Sequence, residues 1–284
     1  MNKSPYYPSQ DPVLKMRQEM KLRNFSPKII KSYSYYITNI LQFANKGASG
    51  VTSQDIRDYL ETLVNINSSA STVNCAYSAL KFYFEKILRR KFFINLPRAK
   101  KEKKLPVVLS KEEVKKIIDA VNNPKHKCIL QLLYGCGLRI SEVIKIKMED
   151  VDCGRKMLYV KKGKGNKDRC TILPEKLVKV MEQQKTLKNP KDYLFTGYDR
   201  KSPLSTMSVN KIVKQAAAKA EIGKNVSAHS LRHSFATHLL ENGVSIRYIQ
   251  ELLGHARLET TQIYTKVSNA NFKNITNPLD NLNL

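Results

Sequence analysis

The sequence predicts a mainly α-helical protein with one small β-hairpin, an α+β chain in two parts. Three observations carry this. Apolar residues recur at helical spacing through most of the 284 residues. Only two short runs, MLYV at 157–160 and RCTIL at 169–173, read as strands. Between the two parts, PRAKKEKKLPVV has a proline near each end, four lysines and no apolar periodicity, which marks a linker.

The first helix is expected over 13–23. Ser26 then caps a second, with Pro27 at its first position and Ile30, Tyr33, Ile37, Ile40 and Leu41 following at helical spacing. Thr52-Ser53-Gln54-Asp55 opens a third. A fourth starts around Ser69 to Thr72 and carries Val73, Tyr77, Leu80, Phe84 and Ile87 as its apolar stripe. This helical unit, studded with Lys and Arg, ends near Arg90, so the first domain is drawn over 1–95 and the basic linker over 96–109. The second domain is drawn over 110–284. It opens on a Ser110/Glu113 capping box, followed by stripes at Val114 to Val121 and Ile129 to Leu133. In GCGLRISEVIKI two glycines permit a tight turn before a new helix, and the two strand runs are joined by the basic tip KKGKGNKD. Further helices are expected over 175–187, 208–220, 230–242 with Gly243 as stop, and 245–253 with Gly254 as stop.

Fifty Lys plus Arg against 24 Asp plus Glu give a formal charge of +26, which calls for a polyanionic partner, nucleic acid before membrane. No run approaches the roughly 18 consecutive apolar residues of a membrane span, and the opening MNKSPYYPSQDP lacks a signal-peptide pattern. A soluble, cytoplasmic protein is expected. The five cysteines form no CxxC pair and no zinc-finger spacing, so they read as free thiols.

SAHSLRHSFATHLLENG concentrates three of the five histidines around Arg232. His229 and His233 stand four apart, but Ser230 occupies the position where a metalloprotease needs its Glu, so a zinc site is disfavoured. His229 and Arg232 share a helix face near its N-terminus, a good setting for a phosphate. Arg139 after the glycine turn, Lys164 at the hairpin tip, His255 and Tyr264 complete a set able to clamp phosphate, move protons and supply a nucleophile. No cluster of Asp and Glu offers a two-metal nuclease.

In this order, Arg139 in GLRISE, Lys164 in GKGNKDR, His229 and Arg232 in AHSLRHSFATHLL, His255 in LLGHA and Tyr264 in TTQIYTKV resemble the tyrosine recombinase, or phage-integrase-like, family. The layout is most similar to Xer-type and archaeal or integron-like members. The resemblance implies an N-terminal SAM-like helical core-binding domain and a C-terminal catalytic domain. It also implies a site-specific recombinase that cuts and rejoins duplex DNA through a 3′-phosphotyrosyl intermediate, in chromosome dimer resolution or mobile-element integration and excision. Tyr264 would be the nucleophile, Arg139 and Arg232 would hold the non-bridging oxygens, and Lys164 would protonate the leaving 5′-oxygen. His229 and His255 would assist proton transfer and orient the phosphate. Neither a metal nor another cofactor is implied. The partner would be a double-stranded recombination site, bound by a homo-tetramer or by a hetero-tetramer with a related recombinase.

Tyrosine ionises near pH 10, so only about one in a thousand is phenolate at neutral pH and the nucleophile needs help. Glu142 is expected to brace Arg139. His233 and His238 read as structural or as supports to the site residues, with His238 facing away from the site, and Tyr248 reads as packing among Ile246, Ile249 and Leu252. The tail places Phe272, Ile275, Leu279 and Leu282 at helical spacing, interrupted by Pro278, as a segment to dock on a neighbouring subunit. Two alternatives stay open: a type IB topoisomerase, and a DNA-binding factor without catalysis.

Overall fold

A computed structural model describes residues 11–90, 97–100, 105–161, 168–199 and 201–268. Lys164 and the whole tail from Phe272 to Leu282 lie outside the described residues. The chain divides into two compact units between Lys103 and Lys104.

The first unit is all helical. α1 (Pro12–Leu22) begins where Asp11 Oδ1 accepts from the Val13 amide at 2.8 Å. α2 (Pro27–Ala44) is capped by Ser26, and α3 (Ser53–Asn65) by a reciprocal Thr52/Asp55 box. α4 (Ala70–Lys81) is capped by Ser69 and runs on into a π-helical turn, Phe82–Ile87. The anticipated stripe stays buried through that turn, since Phe84 and Ile87 join Met16, Met20, Ile37, Ile40, Ile56 and Leu80 in one core. Just beyond, the Arg98 guanidinium lies 5.1 Å over the Tyr77 ring, and Asn74 Nδ2 donates to the Ala99 carbonyl at 2.8 Å. A cation over an aromatic face and a side-chain bond to the backbone together fix this stretch on α4.

The second unit carries α5 (Lys111–Asp119), with the expected Ser110/Glu113 box, then α6 (Pro124–Gly135) and the short α7 (Ile140–Val143). α6 starts earlier than its apolar stripe because Asn123 caps it and Pro124 sits at its first position. Three antiparallel strands follow in the order β1-β2-β3: β1 (Val151–Asp152), β2 (Met157–Val160) and β3 (Arg169–Ile172), with Leu158 opposite Thr171. β1 extends the expected hairpin into a sheet. Two residues are too few to show the alternation that reveals a strand in sequence.

α8 (Glu175–Leu187) matches its expected bounds. α9 (Thr206–Lys219) and α10 (Ala228–Glu241) each start two residues early, because Ser205 and Ser227 provide the N-caps. α11 (Ile246–Leu253) ends at Gly254, whose φ of +62° gives the left-handed stop. α12 (Glu259–Gln262) continues into a 3₁₀ turn, Ile263–Lys266. A large core joins α5, α6, α8 and α9 to the sheet, and a smaller cluster holds Phe235, Ala236, Ile249, Leu253 and Tyr264. No helix among the described residues is long and apolar enough to cross a membrane.

Candidate active site

The site is organised around one buried carboxylate. Arg139 occupies the N-cap of α7, and three residues on Glu142 turns back to it. Oε2 accepts from the Arg139 amide and Oε1 from Arg139 Nη1, both at 2.8 Å. Arg169 on β3 meets the same carboxylate as a fork, Nη1 to Oε1 at 2.7 Å and Nη2 to Oε2 at 2.8 Å. Arg232 Nη1 lies 3.6 Å from Oε2. Burial pulls the Glu142 pKa upward, but the bonds and charge of Arg169, with those of Arg139, outweigh it and hold it at about 2. One negative charge thus faces three guanidiniums, and the surplus is positive. That is the balance a site for phosphate requires.

Arg232 is 3% exposed, and carbonyl oxygens fix its guanidinium. Nη1 donates to the Gly137 carbonyl at 2.6 Å and Nη2 to that of Leu253 at 2.5 Å. Burial and Arg139 lower its pKa to about 9, with Glu142 opposing, so it remains a cation at neutral pH. Gly137 itself cannot be another residue without strain. Its φ is +58°, and a Cβ there would lie 2.4 Å from Phe235 Cδ1. Gly137→Ala is therefore expected to cost roughly 3 kcal/mol, combining left-handed strain and overpacking. It should also slow any reaction that relies on Arg232. Thermal melting checks this cost in stability, and a variant as stable as the native chain would refute the account.

Tyr264 sits in the 3₁₀ turn with 2% of its surface exposed. Its hydroxyl is 3.1 Å from His233 Nδ1, and its ring stacks on that of His255 at 6.4 Å and 18°. Burial raises the phenol pKa, while Arg232 and Arg139 oppose the rise. His255 Nε2 lies 3.3 Å from Arg232 Nη2, and Nδ1 lies 3.0 Å from Thr261 Oγ1. A guanidinium only donates, so Nε2 must be the bare nitrogen and Nδ1 carries the proton. Burial and Arg232 push the His255 pKa down to about 4. His229, on the turn of α10 before Arg232, is exposed, and its pKa is lowered by partial burial, Arg232 and Arg139.

A crevice of about 850 Å³ opens beside this cluster, lined by Arg139, Arg169, His255, Gly254, Cys170 and Tyr248 among others. Asp168 and Glu251 also line it, and the crevice opens the Arg139, Arg169 and His255 side of the cluster to solvent.

The sequence has further matches among known proteins. A phage integrase family domain covers residues 107–271, and a phage integrase N-terminal SAM-like domain covers 13–93. The chain belongs to the phage integrase family. Tyrosine recombinase XerA of Pyrococcus horikoshii is 42% identical over 254 residues, 88% of this chain and 86% of that protein. A crystal structure of XerA recombinase shares 33% identity, covers 90% of this chain and 92% of its own, and superposes with a TM-score of 0.52. A crystal structure of XerH site-specific recombinase bound to a palindromic difH substrate is 22% identical, with 92% and 82% coverage and a TM-score of 0.71, a likeness of fold. The integrase is thus a Xer-like tyrosine recombinase, an enzyme of the DNA strand-exchange type.

Of the sequence-selected residues, the structure gathers Arg139, Arg232, His255 and Tyr264 and sets His229 beside them. Glu142 braces Arg139 as expected. His238 is turned toward Tyr134, whose hydroxyl is 2.9 Å from Nδ1. One reading needs correction. Tyr248 is 65% exposed and lines the crevice instead of packing, because the buried face of α11 is taken by Ile249 and Leu253. His233 contacts the Tyr264 hydroxyl, within the supporting role its place beside Arg232 allowed.

Arg169 escaped the sequence reading altogether. Its Nε donates to the Leu252 carbonyl at 2.9 Å, so one side chain ties β3 to α7 and to the end of α11. The available signal was weak: it is one cation in a hairpin crowded with lysines.

Proposed function

We propose that this integrase cuts duplex DNA at a specific site by attack of Tyr264 on a phosphodiester, leaving a 3′-phosphotyrosyl bond and a free 5′-hydroxyl, and then rejoins the strands to a second site. The observation that carries this is an arrangement of side chains. The ring of Tyr264 stacks on that of His255, whose Nε2 lies 3.3 Å from Arg232 Nη2, and His255 lines the open crevice together with Arg139 and Arg169. In the proposed chemistry Arg139 and Arg232 hold the non-bridging oxygens and stabilise the charge that grows there. His255, its Nε2 held by Arg232, and His229 orient the phosphate. Lys164 protonates the departing 5′-oxygen. Energy stored in the phosphotyrosine bond drives rejoining.

The helical part, 1–95, and the catalytic part, 110–284, would grip the duplex, with 96–109 as the strap between them. Exchange between two duplexes needs four active sites, hence a tetramer of this chain or of this chain with a related recombinase. Chromosome dimer resolution and mobile-element integration or excision both fit this chemistry.

The test is covalent capture. Duplexes from the gene's own genomic neighbourhood, nicked close to each candidate phosphate so that the released strand diffuses away, are incubated with the chain. An adduct surviving denaturation, whose nucleotide-bearing peptide contains Tyr264, supports the reading. An adduct on another residue, or none on any duplex, refutes it. With a +26 chain, affinity should also fall steeply with salt, at roughly 0.9 counterions released per neutralised phosphate. A flat response in a salt titration of binding would argue against a protein that grips the phosphate backbone.

A further inference from the structure

Two imidazoles, His233 and His255, lie against the ring of Tyr264 and a third, His229, lies next to His233, and they are not equivalent. His255 is spoken for at both nitrogens, by Arg232 and by Thr261. His229 is exposed, with its ring centroid 6.3 Å from that of His233. His233 is the side chain whose nitrogen lies within hydrogen-bond distance of the phenol oxygen, Nδ1 at 3.1 Å, with ring centroids 5.6 Å apart. A phenol that becomes a nucleophile must give up its proton, and His233, in the tautomer that protonates Nε2 and leaves Nδ1 bare, is the group placed to accept it.

We infer that His233 is a further catalytic residue, the proton acceptor for Tyr264. This rests on the proposal that Tyr264 is the nucleophile. As Oη bonds to phosphorus, the Oη–H bond breaks and the proton passes to Nδ1. The P–O5′ bond breaks with its electron pair going to O5′, which takes a proton from Lys164. In rejoining, the 5′-hydroxyl gives its proton back to the neutral Lys164 amine as O5′ bonds to phosphorus, the P–Oη bond breaks with its electron pair going to Oη, and the His233 imidazolium returns the proton to Oη.

The groups facing His233 explain why it is ready as an acceptor. His229 and Arg232 flank it on α10, His255 follows α11, and Tyr264 comes from the 3₁₀ turn. Burial, His229 and Arg232 hold it down to about 4, so it is neutral at physiological pH. A phosphodiester docked on Arg139 and Arg232 brings negative charge that offsets the guanidiniums, and the imidazole becomes more basic when substrate is present. Substrate binding thereby arms the base.

The experiment uses the nicked duplex captured by the native chain and measures single-turnover adduct formation by His233→Asn and His233→Ala. The Asn amide can place an oxygen close to Nδ1, accepting a hydrogen bond without taking the proton. Both variants are expected to bind DNA as the native chain does and to form adduct about 100-fold more slowly. Replacing Tyr264 with 3-fluorotyrosine, a more acidic phenol, should recover much of the loss in His233→Asn while changing the native background little. A 5′-bridging phosphorothiolate, whose leaving group needs no proton, should not. Native rates with His233→Asn, or a loss that 3-fluorotyrosine leaves untouched, would overturn the inference. Failure of the native chain to form any adduct through Tyr264 would instead overturn the proposed function beneath it.

Discussion

A chain carrying Tyr264→Phe is expected to bind the captured duplex with native affinity and to form no covalent adduct. The ring remains in its cluster with Phe235, Ile249 and Leu253, so packing is preserved. What disappears is the oxygen that would bond to phosphorus, together with one hydrogen bond to His233. That bond is worth about 1 kcal/mol, so the melting temperature should move by only a few degrees. The informative companion is Tyr248→Phe. Tyr248 is the exposed phenol of the crevice, and exposure alone would favour it as nucleophile. It is expected to leave adduct formation intact, because Tyr264 is the phenol placed against His233 and stacked on His255, which is itself held by Arg232. Denaturing gels with end-labelled duplex decide the matter. An adduct that persists in Tyr264→Phe and vanishes in Tyr248→Phe would reverse the assignment.

Glu142→Ala should produce the largest loss of stability. The side chain is 4% exposed, and its removal leaves Arg139, Arg169 and Arg232 close together without their shared counter-charge. Breaking a buried pair in this way costs about 3–5 kcal/mol. The depressed pKa gives an independent figure. A carboxyl lowered from 4.5 to about 2 contributes about 3 kcal/mol at neutral pH. For a unit of this size the melting temperature should fall by roughly 10 °C.

The sign with pH follows from the direction of the shift. A lowered carboxyl pKa means stability that is fully present above about pH 4.5 and is lost as pH falls toward 2. The gap between native and Glu142→Ala melting temperatures should therefore be widest near neutrality and close in acid. A variant melting within a couple of degrees of the native chain at pH 7, or a gap that widens in acid, would show that the carboxylate is not what holds the guanidiniums.

Sequence by itself determined the elements and the inventory of reactive groups. The caps at Ser26, Thr52, Ser69 and Ser110 and the stop at Gly254 were legible because each is a contact between residues at most a few positions apart. The brace of Glu142 on Arg139 was legible for the same reason. The motif order pointed to the family. The π-helical turn, the two-residue β1 and the Asn123 start of α6 were not anticipated, since short or irregular segments leave little periodicity.

Only the tertiary structure decided who touches whom. Arg169 reaches Glu142 across 27 positions, and His233 reaches Tyr264 across 31. No local spacing encodes such contacts. They exist because a buried carboxylate must find cations and a buried phenol must find a partner, and which ones are within reach depends on how α7, α10, the sheet and the last 3₁₀ turn pack around one core.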